Sequence, residues 1–503
     1  MSKPVSLKKN AIANYIGQFY TMFIGIFMLP FYLKYLGAEA YGLVGFFTVF
    51  MSWMTLLDLG LSTTLARETA KLKDKVNGII ELKRMTLSIE VFFVIISIIV
   101  FNTMFFGSTW LSMHWLEVKE LSYITVESTI KIMAFLLVFR WFIGLYQGAI
   151  IGFEHHVWLN IYKIIFATIK FLGAFLLIVF ITKDIIHFFY FQLVVTIFEF
   201  VVIKFKIDSY MKISEKVFPS FMVLKQMAPF ALSIAYTSSM WVFITQLDKL
   251  MLSHYLPLDK YGFFTLVIII SGAILQIFHP IGQAILPRMT SLLSNGQEKE
   301  MLVLYHKATQ IVSIVVFSVS GTIAVFSYEL LYSWTGNIEA SQWGSPILFW
   351  YALGNASVSL LSFQFYMQYA YGNLKYHVKG NTYFGFIQII AVILSVHFYG
   401  ALGAALTWFG LQTFFLLWWP GFIHSKFAPS IHKDWVFKDI LPILLVSVMY
   451  LWLLKSINMT FSENRWVLFF TLIGLGFILL VLNTVVSKEG RRILSKISIM
   501  GLR

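Results

Sequence analysis

The 503-residue sequence contains no cysteine, which removes disulfide frameworks, thiolate chemistry and cysteine metal sites. Charge is also scarce. Asp, Glu, Lys and Arg make up 12% of the chain, against about 25% in soluble domains. No polar stretch is long enough to be a soluble domain. Enzyme motifs of fixed geometry are missing too: there is no HExxH, no GxSxG, no Walker loop and no acidic metal cluster. Without a phosphate-cradling loop, chemistry driven by ATP hydrolysis on this chain is not expected. His187, His279 and His397 are scattered without metal spacing, which fits packing better than coordination. The expectation is a non-enzyme with no cofactor and no metal.

What the chain does have is apolar length. Hydrophobic residues reach 59%, aromatic residues 18% and mean hydropathy +0.79. A bilayer core about 30 Å thick needs roughly 20 apolar residues per helix, and runs of that length in lipid fold as helices because the backbone must satisfy itself. Candidate spans are 11–33, 41–63, 85–107, 127–151, 158–181 and 185–205. After the polar linker 206–226 come 227–250, 261–287, 304–330, 346–371, 380–399, 401–423, 436–458 and 465–486. The count is about 14 transmembrane helices; two tight joints leave twelve or thirteen open. The opening MSKPVSLKKN leads into a run too long for a signal-peptide core and without a small-residue cleavage site, so it reads as an uncleaved first span.

The cations fix the expected orientation. With the N-terminus inside, 27 of the 38 lysines and arginines fall in inner segments and eight at the outer side, while Arg140, Lys163 and Lys170 lie within spans. Both termini are therefore expected in the cytoplasm. The net charge of +14 reads as attraction to an anionic leaflet rather than to nucleic acid. The chain also repeats itself. Tyr35, Leu36, Glu39, Tyr41 and Gly42 recur at a constant spacing as Tyr255, Leu256, Asp259, Tyr261 and Gly262. Shifted by one position more, Gln147, His156, Val157 and Asn160 match Gln368, His377, Val378 and Asn381. The expected fold is an all-α polytopic membrane protein with two pseudo-symmetric six-helix lobes, 1–205 and 227–423. The linker 206–226 is placed in the cytoplasm, and 424–503 forms an appended helix pair and basic tail. An even number of spans per half makes the repeats parallel.

Charge inside the bilayer marks the candidate site. Helical spacing puts Arg140, Gly144, Gln147 and Gly148 on one face, and Lys163, Ala167, Lys170 and Gly173 on one face of the next span. Three cations can thus line one cavity. The competing reading is that Lys163 snorkels to headgroups and Arg140 bonds a neighbouring carbonyl. The second half places Asn355, Ser359, Ser362 and Tyr366 on a neutral hydrogen-bonding face, or on an ordinary small-residue packing face. A phosphorylated sugar suits a cavity that is cationic on one side and hydroxyl-rich on the other. Asp248, Lys249, Glu90 and Glu199 are coupling or gating candidates, with pairing near the headgroups as the alternative for the two glutamates. Asp248 and Lys249, adjacent on a helix, point about 100° apart and are expected to find separate partners near the outer mouth.

The opening NYIGQFYTMFIGIFMLPFYLKYLGAEAYGL with LLDLGLSTTLARETAK resembles the start of polysaccharide-repeat-unit flippases of the O-antigen and capsule type. FITQLDKLMLSHYLPLDKYGFFTL and LYQGAIIGFEHHVWLN are similar to later segments of the same family. That family sits within the superfamily of multidrug/oligosaccharidyl-lipid/polysaccharide exporters. The resemblance implies that an undecaprenyl-pyrophosphate-linked oligosaccharide moves from the inner to the outer leaflet of a bacterial inner membrane by alternating access of two rocking lobes. It implies partners in membrane lipid, polysaccharide polymerase and chain-length proteins. Proton or sodium coupling stays open beside a passive step. The first rival is a cation-coupled multidrug/toxin antiporter of the same superfamily, which calls for deep carboxylates where this chain has mainly cations. The second is a membrane polymerase or glycosyltransferase, which calls for a longer outer loop than 108–126.

Overall fold

The computed structural model describes residues 7–500 apart from Asn458 and Thr460; Lys3 and Arg503, and the side chains of Lys8, His279 and Lys496, lie outside the described residues. Two compact units form, Met1–Gly262 and Phe263–Arg503.

The first unit opens with α1 (Leu7–Leu36), α2 (Ala38–Met54), α3 (Leu61–Leu72), α4 (Gly78–Trp110) and α5 (Tyr123–Gly152). It continues through α6 (His156–Thr168), a π-turn at Ile169–Gly173, α7 (Ala174–Phe180), α8 (Ile185–Tyr210) and α9 (Phe221–Tyr255). α5 is the hub, packed on α3, α4 and α8. Its buried side includes Leu145, Tyr146, Ala149 and Ile150, joined by Leu65, Ile89 and Ile203. Phe19, Phe23 and Phe27 of α1, at one-turn spacing, are 65%, 56% and 43% exposed. Water would penalise such a stripe, whereas acyl chains solvate it.

α10 (Leu258–Ser294) starts in the first unit and continues into the second. There follow α11 (Glu298–Val325), α12 (Ser327–Thr335), α13 (Ile338–Ala370), α14 (Lys375–Phe427), α15 (His432–Asp434), α16 (Leu441–Ser456), α17 (Arg465–Val486) and α18 (Lys488–Met500). α13 is the hub here, packed on α14, α11 and α12, while α16 and α17 lean on α11. Among the described residues 13 helices are long and apolar enough to cross a membrane. One of them, the 53-residue α14, holds non-helical backbone at Gly400 (φ 56°, ψ −138°). Only glycine adopts that conformation without strain, so the helix turns back without a loop. Counted as two arms, α14 brings the candidate spans among the described residues to fourteen, which explains why the joint between 380–399 and 401–423 is tight in sequence.

The repeated corners meet. A Cβ on Gly42 would lie 2.2 Å from the carbonyl oxygen of Leu258, and one on Gly262 would lie 2.5 Å from that of Ala38. Each glycine lets the other copy's backbone approach, so the repeat has a packing reason. Glu39 adds a second function to the first copy. Its carboxylate, on a residue 3% exposed, accepts the backbone N–H groups of Lys119, Glu120 and Leu121 at 2.5, 2.6 and 2.7 Å. It pins the loop that leads into α5.

Candidate functional site

α5, α6 and α8 bring three charged groups to a common depth. Arg140 precedes the end of α5 at Gly152, Lys170 follows the start of α6 at His156, and Glu199 precedes the end of α8 at Tyr210. Each separation is about three to four helical turns, so at 1.5 Å per residue the three lie about 17–21 Å from the same side of the unit. Lys170 sits in the π-turn, where the wider helix re-aims a side chain. Carbonyls of that turn take extra donors: Gln192 Nε2 donates to Lys170 O at 3.1 Å and the Tyr32 hydroxyl to Phe171 O at 2.7 Å. Gly173 leaves room for the ring of Phe191 on α8, which would lie 2.7 Å from any Cβ there.

The Lys170 ammonium donates to Glu199 Oε2, and Arg140 Nη1 stands 3.5 Å from the same oxygen. The side chains of Glu199 and Lys170 are 6% and 8% exposed, while that of Arg140 is 31% exposed. The three carry a formal net charge of +1. The Tyr162 hydroxyl donates to the Glu199 carbonyl at 2.9 Å and so holds α6 against α8 at this point. Lys163 interacts with Glu199 electrostatically but makes no ion pair among the described residues. It raises the local excess to two positive charges.

The face of α5 that carries Arg140 is open. Gly144 is exposed and nothing lies within 4 Å of the place a Cβ would take. Gln147, half-buried, makes no hydrogen bond among the described residues, and Arg140 makes none beyond its contact with Glu199. Gly148, expected on the same face, instead packs on α3, where a Cβ would meet the Ser62 carbonyl at 2.5 Å. An unspent guanidinium facing acyl chains is costly, so the open face suits water and a polar ligand.

The other candidates are placed differently. Glu90 accepts from Lys204 at 2.7 Å and from the Tyr146 hydroxyl at 2.8 Å, while Asp208 accepts from Lys83 at 2.6 Å, so α4, α5 and α8 are tied together. Asp248 and Lys249 do pair: the ammonium lies 3.1 and 3.3 Å from the two carboxylate oxygens and also bonds the Thr245 carbonyl. Neighbours pointing about 100° apart thus do bond each other. The wide angle between neighbours describes Cβ directions, and the four-carbon lysine stem bends far enough to cancel it. In the second unit Asn355 and Ser359 are buried at 5% and 0% exposure. Asn355 donates to Ser271 O at 2.7 Å and accepts from Trp408 Nε1 at 3.0 Å, while the Ser359 hydroxyl returns to Asn355 O. Their hydrogen-bonding capacity holds α10, α13 and α14 together. That unit also contains a cavity of about 1170 Å³ bounded by apolar side chains such as Phe317, Phe349, Trp350 and Trp452. Among the described residues no group of three or more His, Cys, Asp or Glu side chains could hold a metal.

Glu199 is one of the carboxylates near the inner span ends that could balance the cations, and the structure sets it against Arg140 and Lys170. The signal was available in the matched distances of the three residues from their helix ends.

The polysaccharide biosynthesis protein family matches residues 7–293, more than half of the chain. No curated protein matches. Among solved structures, one described as "Lipid II flippase MurJ, inward closed conformation" aligns over 93% of this chain and 97% of its own, at 18% identity and TM-score 0.71. A "MATE multidrug transporter", DinF-BH, aligns over 84% and 96%, at 16% identity and TM-score 0.60. An inward-facing "multidrug resistance MATE family transporter of the MOP superfamily" aligns over 84% and 99%, at 13% identity and TM-score 0.59. At these identities the likeness is one of fold. The chain belongs to the polysaccharide biosynthesis protein family and has the multi-pass helical fold of MOP-superfamily transporters.

Proposed function

We propose that this protein flips an undecaprenyl-pyrophosphate-linked oligosaccharide, a repeat unit of surface polysaccharide such as O-antigen of lipopolysaccharide or capsule, from the inner to the outer leaflet. It works in the bacterial inner membrane with both termini in the cytoplasm, by alternating access. The observation that carries this reading is the excess of positive charge at Arg140, Lys170 and Lys163 beside the open face of α5. Arginine offers a planar fork that matches phosphate oxygens, and lysine a point charge. Gln147, about two turns along the helix, supplies an uncommitted amide for sugar hydroxyls.

The membership in a polysaccharide biosynthesis family supports a lipid-linked saccharide as cargo. A cation-coupled drug antiporter shares the fold, but its positively charged cargo is poorly served by a site with two excess cations. A polymerase or glycosyltransferase needs an acid–base pair, and the open face of α5 carries none among the described residues. Polysaccharide polymerase and chain-length proteins are the partners that would consume the flipped product. Coupling to a proton or sodium gradient would run through carboxylates, and Glu199 is the one in contact with Arg140 and Lys170. The experiment is complementation of a strain whose surface glycan depends on this chain. Arg140→Ala with Lys170→Ala at normal protein levels is expected to abolish surface glycan; undiminished glycan would overturn the reading.

A further inference from the structure

Lys170 and Glu199 form a buried ion pair, yet the second cation is held differently. Arg140 reaches Oε2 of Glu199 at 3.5 Å, too far for a good hydrogen bond, and makes no other bond among the described residues. Its side chain is 31% exposed on a face with open space at Gly144. The guanidinium thus touches an anion without spending its donors. A carboxylate that draws two cations to a single oxygen, at the edge of an open face, occupies the position an incoming anion would take.

We propose that Glu199 is an internal placeholder for the cargo's anionic headgroup: it holds Arg140 and Lys170 in the empty transporter and is displaced when a diphosphate binds. This rests on the flippase reading above and names a residue that sets affinity and release. Binding proceeds in two stages. The exposed fork of Arg140 takes two phosphate oxygens first, at little loss because its contact with Glu199 is long. Lys170 then turns from Oε2 to the diphosphate. Lys163, which feels the Glu199 charge and has no ion-pair partner among the described residues, is the cation left to receive the released carboxylate. The Tyr162 bond to the Glu199 backbone keeps α8 in place while the side chain moves. On the far side, return of Glu199 to Arg140 and Lys170 expels the cargo. Affinity is thereby reduced in exchange for turnover, because a site of bare cations would bind a diphosphate and keep it.

The test uses full-length protein in lipid nanodiscs with a short-chain polyprenyl pyrophosphate as the probe. Glu199→Gln is expected to bind the probe about tenfold or more tightly than wild type, and in proteoliposomes to flip it at a lower maximal rate. A residue that only supports the fold would weaken binding and flipping together. Glu199→Asp, which keeps the charge on a shorter stem, is expected to fall between the two and covers the case in which the glutamine variant does not fold. Equal or weaker probe binding in these variants overturns the placeholder. If Arg140→Ala with Lys170→Ala binds the probe as wild type does, the cation site itself fails, whatever Glu199 does.

Discussion

Removing the Glu39 carboxylate should loosen one loop by an amount that can be worked out. Glu39 is 3% exposed and accepts three consecutive backbone N–H groups, from Lys119, Glu120 and Leu121. A hydrogen bond to a charged group contributes about 1.5–3 kcal/mol net. Lys119 and Glu120 are exposed and Leu121 half-buried, so water recovers part of the loss when the acceptor goes. A cost of about 3 kcal/mol for Glu39→Ala is the resulting figure, which is about a hundredfold in the local opening equilibrium. Hydrogen exchange read by mass spectrometry on the 116–122 segment is the assay. The amides of Lys119, Glu120 and Leu121 should exchange about a hundredfold faster in Glu39→Ala, and about tenfold faster in Glu39→Gln, which keeps one acceptor oxygen. Unchanged exchange in both variants would show that the carboxylate does not hold this loop. So would an acceleration spread evenly over the whole chain, since the carboxylate would then be supporting the fold rather than one loop.

Other outcomes follow from the same geometry. Gly42→Val should lower the melting temperature of the purified protein, because a Cβ there meets the Leu258 carbonyl at 2.2 Å, while Gly107→Ala, with nothing within 4 Å, should be neutral or slightly stabilising. Lys249→Ala strips the ammonium from Asp248, a residue 4% exposed, and should cost about 3 kcal/mol, part of which Asp248→Ala in the same chain recovers; denaturant titration reads both. Glu90→Gln should loosen the contacts among α4, α5 and α8 and show as faster exchange at the amides around Lys204, since Lys204 and Tyr146 both bond that carboxylate.

Much of this architecture was legible in the sequence for a physical reason. Lipid demands long apolar runs and internally satisfied backbone, so span length and number can be counted directly. The loopless turn at Gly400 blurred one boundary because its polar gap is absent. The echo of Tyr41 and Gly42 in Tyr261 and Gly262 marked a repeat, but its reason, two backbones crossing at paired glycines, exists only in three dimensions. Polar partners were the hard part. The helical face of Asn355 fits a cavity lining or helix packing alike, and only the structure shows its bonds to Trp408 and the Ser271 carbonyl. Periodicity gives the direction a side chain leaves its helix and says nothing of the neighbour it meets. For Asp248 and Lys249 even that direction misled, because a long side chain can bend back to the residue beside it.

The cations beside the open face of α5 are proposed to carry an anionic lipid headgroup across the membrane. The direct measurement is flipping of a fluorescent polyprenyl-pyrophosphate-linked saccharide in proteoliposomes containing the purified full-length chain. Wild-type protein is expected to move the lipid between leaflets, and Arg140→Ala with Lys170→Ala is expected to reduce the rate at least a hundredfold while a neutral polyprenol is moved by neither. Flipping that persists at the wild-type rate without these two cations would show that they do not carry the headgroup.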